Sequence, residues 1–161
     1  MIAKRRLERE AIQLFLRQYN KTANSPLRLL YQREKPDAVL MDSHGRKLGM
    51  EITHLFYSEE EARQMFQQRH RSFVCIDSFQ HLLDGLNQQL ARKEAKSVGY
   101  SRKYPLALLI RNMSPHFGWS DFEREWDRIT FTSKAFMYVW LLVKEHAAAG
   151  AAAERWHLKR L

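Results

Sequence analysis

The stretch from Glu34 to His54 limits what this chain can fold into more than any other. Residues 36–41 and 47–53 are short, apolar-rich segments, β-branched in places, separated by the turn composition Asp42-Ser43-His44-Gly45-Arg46. With Ser43, His44 and Gly45 as a three-residue loop and Gly45 in the left-handed region, Asp42 lies opposite Arg46. Counting outward then sets Asp37 opposite Glu51. Both carboxylates fall on one face with Val39 and Gly49, while Ala38, Leu40, Leu48, Met50 and Ile52 line the other. A hairpin apolar on both sides belongs in the covered centre of a sheet.

Like charges directly opposite each other on a sheet cost roughly 0.2–1 kcal/mol when exposed, and more once water is excluded. A half-buried acid pair therefore asks for a cation, unless the hairpin is an ordinary one whose acids face solvent. Two carboxylates and a backbone carbonyl make a hard oxygen site, which suits Mg²⁺ or Mn²⁺ better than zinc.

Around the hairpin the chain alternates helices and strands. Residues 3–20 carry Leu7, Ala11, Leu14 and Phe15 at helical spacing, widened by Ile12, Leu16 and Tyr19. Glu8 sits at the edge of that stripe and Glu10 stacks over Leu14, and early acids also suit the helix dipole. Asn24-Ser25-Pro26 is a turn, and residues 27–33 read either as a short strand or as an extended lead-in. Ser58 and the acids after it open a helix running to about Arg69. Residues 78–96 form a second strong helix through Phe79, Leu82, Leu83, Leu86 and Leu90, with Val98 extending the stripe. Its C-terminal end gathers Arg92, Lys93 and Lys96. Residues 105–111 and 136–143 are strands covered on both faces, and between them Ser120 caps a helix with Phe122 and Trp126 facing inward. The tail at about 146–161 starts with an alanine run of high helix propensity and is expected to be helical, packing its Trp and Leu residues while its cations stay in water. The sum is one α/β domain spanning 1–161, with a mixed β-sheet between helices.

With 27 Lys and Arg against 18 Asp and Glu, the formal charge is +9, which points to a polyanionic partner, nucleic acid first. The single cysteine, Cys75, excludes an internal disulfide and reads as a small buried hydrophobe. The seven histidines show no paired metal-ligand spacing, and there is no P-loop, nucleophile elbow or dinucleotide glycine pattern. Neither a membrane span nor a signal peptide is expected, which makes the cytoplasm the default compartment.

Pro36-Asp37, thirteen residues, then Glu51-Ile52-Thr53 resembles the motif of the PD-(D/E)xK superfamily of restriction-endonuclease-like nucleases. The surrounding order of elements extends the resemblance over residues 3–143. It implies a restriction-endonuclease-like α/β/α sandwich and a metal-dependent endonuclease acting on DNA, or RNA, with Mg²⁺ or Mn²⁺ held by Asp37, Glu51 and the carbonyl of Ile52. A first-helix acid, preferably Glu8, would assist, and a homodimer is compatible with it. The departure is Thr53, which stands where the family has its lysine. In some branches that lysine has moved to the helix after the hairpin, which makes Lys93 and Lys96 the candidates. The alternative is a catalytically inactive module of the same fold that binds nucleic acid or protein.

Overall fold

The computed structural model describes residues 2–58, 60–63, 78–129, 133–146 and 154–161. Its centre is an open six-stranded mixed sheet. The strands are β1 (Arg28–Gln32), β2 (Ala38–Met41), β3 (Lys47–Leu55), β4 (Leu106–Asn112), β5 (Tyr138–Lys144) and β6 (Trp156–Arg160), side by side in chain order. β1, β2 and β3 form an antiparallel meander, β4 and β5 continue parallel to β3, and β6 returns antiparallel to β5. Among the described residues the fully described helices are α1 (Ile2–Tyr19), α2 (Phe79–Lys96) and the short α3 (Trp119–Arg124).

The two faces separate by strand alternation. Ala11, Ile12, Leu14 and Phe15 of α1 pack on Ala38, Leu40, Met50, Ile52, Ala107, Leu109 and Leu142. On the opposite face Leu82, Leu83, Leu86 and Leu90 of α2, with Phe122 of α3, cover Leu108, Ile110, Val139, Leu141 and Val143. The four α2 leucines are at most 1% exposed, and burial on that scale is worth about 1.5–3 kcal/mol per side chain. That stripe fixes the rotation of α2 about its axis and hence where its polar residues point.

The hairpin register is the one expected: Ala38 pairs Met50, Val39 pairs Gly49, Leu40 pairs Leu48 and Met41 pairs Lys47. Gly45 has φ +80°, and Asp42 organises the loop by accepting the His44 and Arg46 N–H groups at 2.9 Å each. The open choice at residues 27–33 resolves as β1, an edge strand. The expected helical tail is corrected where it is described: residues 156–160 are β6, because Leu158 and Trp156 cover the α1 face beside Leu142, while the alanine run at 147–153 lies outside the described residues. The α3 cap is Gly118 rather than Ser120, the Gly118 N–H donating to Asp121 at 2.9 Å. Val98 is exposed, since the three-residue turn Ser97–Gly99 leaves the helical spiral. The helix opened by Ser58 is seen at residues 60–63, with the Glu61 N–H donating to the Ser58 hydroxyl at 3.2 Å; its continuation and Cys75 lie outside the described residues. Among the described residues no helix is long and apolar enough to cross a membrane.

Gly49 is required by space. A Cβ there would lie 2.9 Å from both the Leu106 side chain and the ring of Pro36. Gly49→Ala is therefore expected to cost about 1–3 kcal/mol, read as a lower urea midpoint, and to push Pro36 and Asp37 away from β3.

Candidate active site

Pro36 ends the β2–β3 ladder. The last hydrogen-bonded partners are Ala38 and Met50, and continuing the register puts Pro36, which has no N–H, opposite Ile52. The Ile52 N–H is taken instead by the Asp37 carboxylate, Oδ2 accepting at 2.8 Å. The Asp37 main-chain carbonyl accepts from Arg33 at 2.8 Å, so the residue is tied at both backbone and side chain. Because the N–H and C=O of one strand residue leave the same edge, the Ile52 carbonyl also faces the Asp37 side of β3, opposite a residue with no donor.

Glu51 points to the α2 face, next to Leu108. Its Oε1 accepts from Lys93 Nζ at 2.9 Å and from the Tyr100 hydroxyl at 2.9 Å. Its Oε2 is buried without a hydrogen-bond partner. Lys93 reaches Glu51 because it lies three residues past Leu90 and seven past Leu86, on the stripe that α2 buries. Lys96 lies off that stripe and is exposed. Thr53, buried beside Ile110, carries no charge. The Lys93 side chain is 17% exposed, so solvent reaches the ion pair from one side.

Of the two α1 acids, Glu8 is buried, whereas Glu10 is exposed and meets Arg111 at 3.4 Å. Burial lifts the Glu8 carboxyl above the ordinary range; Lys4, 3.6 Å away, opposes the shift and the Glu51 charge adds to it. Asp37 is pushed up to about 7, first by burial and then by the charge of Glu51, against the Ile52 N–H and Lys93. Tyr100 is raised by burial and by the Glu51 charge, which keeps its hydroxyl protonated and donating. His54 sits on the α1 face and is held down to about 4, by burial and then by Arg111, so it is neutral and apart from the acids.

The structure thus brings Glu8, Asp37, Glu51 and Lys93 into one electrostatic cluster, separates Lys96 from it, and adds Tyr100. No helical period reaches Tyr100; the turn at Ser97–Gly99 folds it back under the sheet. A further unforeseen residue is Glu94, whose carboxylate accepts from Ser133 at 2.6 Å and from the Lys134 and Ala135 N–H groups at 2.9 and 3.0 Å, anchoring the end of α2. Among the described residues no three His, Cys, Asp or Glu side chains form a ready metal cage. The oxygens of Asp37, Glu51 and Ile52 nevertheless fit a small hard cation, because Glu51 Oε2 is a buried acceptor without a donor and the Ile52 carbonyl has no ladder partner opposite it. No protein-family model matches the chain, and no curated protein or solved structure matches it.

The raised Asp37 value sets a pH dependence. The folded chain holds this proton more tightly than the unfolded chain, whose carboxyl titrates near 3.8. The resulting stabilisation is full below that value and is lost as pH rises through about 7. The unfolding free energy is expected to fall across that window by on the order of a few kcal/mol, read as falling urea midpoints. Asp37→Asn, which keeps an acceptor for the Ile52 N–H, should flatten the slope.

Proposed function

We propose that the chain is a metal-dependent nuclease of the PD-(D/E)xK type, with the restriction-endonuclease-like fold, hydrolysing phosphodiester bonds of DNA or, second, RNA. The observation that carries this reading is the ion pair of Lys93 with Glu51 at 2.9 Å beside buried Asp37: the cation that Thr53 does not supply arrives from α2. Asp37, Glu51 and the Ile52 carbonyl would hold Mg²⁺ or Mn²⁺. When bound, such an ion polarises a phosphate oxygen and lowers the pKa of a coordinated water.

The chain's own residues supply the rest. Lys93 donates to the phosphate oxygen on which charge develops, from a largely buried place on α2. Glu8, whose carboxyl is held above its ordinary range by burial, is suited to take up and release a proton. Exposed Lys4 on α1, Arg33 and Lys35 beside Asp37, and Arg92 and Lys96 on α2 put positive charge on the elements that carry the acids, which suits a phosphate backbone. Thr53 favours the second reading, a module that binds nucleic acid without cutting it.

Cleavage of plasmid, linear and single-stranded DNA and of RNA separates the two. Mg²⁺- or Mn²⁺-dependent cutting is expected, lost in Asp37→Asn and Glu51→Gln. Lys93→Ala should lower the rate by about 100-fold or more, and Lys96→Ala should leave it near the native rate. No cutting of any substrate, with both acid variants binding nucleic acid as the native chain does, would establish the binding module instead.

A further inference from the structure

Two donors converge on one oxygen of Glu51 while the other oxygen, itself buried, has none. An ionised carboxylate offers about four lone-pair sites over its two oxygens, and a pocket that only solvated the charge would divide its donors between them. Tyr100 is itself held rigidly. It is 7% exposed, its N–H donates to the Ser97 carbonyl at 3.0 Å, and its ring lies 6.3 Å from that of Phe136 at an interplanar angle of 57°.

We infer that Tyr100 is a positioning residue: together with Lys93 it pins the Glu51 carboxylate through Oε1 and so presents Oε2 as the oxygen for a divalent cation. The inference rests on the metal reading of the acid pair. Tyr100 has a part that Lys93 cannot fill, because an ammonium that turns toward substrate releases Oε1, whereas the tyrosine hydroxyl stays. Glu51 then keeps its orientation through the reaction.

The test is titration of the purified full chain with Mn²⁺ by calorimetry, comparing the native protein with Tyr100→Phe, Glu51→Gln and Tyr104→Phe. Tyr100→Phe removes one oxygen atom, and thermal unfolding without metal verifies that the variant is folded. Its Mn²⁺ affinity is expected to fall by roughly 10–100-fold, the range for groups that orient a metal ligand, with Tyr104→Phe unchanged. The Mn²⁺ concentration for half-maximal cleavage should rise in step, while kcat at saturating Mn²⁺ stays near the native value; a general loss of structure would not produce that split. Native affinity in Tyr100→Phe, with binding lost in Glu51→Gln, would overturn the role of Tyr100 and leave the metal site standing. No Mn²⁺ uptake by the native chain would overturn both.

Discussion

One hydrogen bond, from the Ile52 N–H to the Asp37 carboxylate, decides how the centre of this molecule is built. Main-chain donors in a sheet interior must be satisfied, and here the β2–β3 ladder stops at Ala38 and Met50, with Pro36, which has no N–H to complete a two-bond pair, in the next position. The side chain of the next residue closes the ladder in its place. A carboxylate is thereby drawn into the protein at the point where Glu51 emerges on β3, and the crowding of negative charge follows from the backbone geometry. Gly49, with no side chain to oppose Pro36, is the steric condition for the same arrangement.

The charge balance of the cluster explains its composition. Burying carboxylates is costly unless they are paired, and Lys93 is the ammonium bonded to Glu51. The remaining imbalance falls on Asp37 and Glu8, both pushed toward their protonated forms. Tyr100 contributes a second donor to Glu51 without adding charge. Such a set is poor at stabilising the fold and well suited to changing its protonation when another positive charge arrives.

How much of this was legible in the sequence follows from which constraints are local. The hairpin register was, because a three-residue loop with Gly45 fixes the pairing of every residue after it, Asp37 and Glu51 included. The rotation of α2 was legible in outline, since the leucine stripe that buries Leu86 and Leu90 also carries Lys93. Lys96 could be separated from Lys93 only by knowing how tightly that stripe is held. Tyr100 was not legible, because a short turn with no periodic signature sets its direction. The tail misled because helix propensity read from a neighbouring run is a local preference, whereas pairing with β5, a tertiary contact, decides Trp156–Arg160.

The contacts at the site also differ in reach along the chain. Asp37 meets Ile52 across 15 residues, whereas Lys93 and Tyr100 meet Glu51 across 42 and 49. Closing a short loop costs less entropy than bringing distant segments together. The acids are therefore joined by the shorter loop, and their counter-charge depends on the docking of α2. In an open hairpin water would screen the two acids, so it is the docking of α2 that both strengthens their repulsion, by excluding water, and answers it, with Lys93.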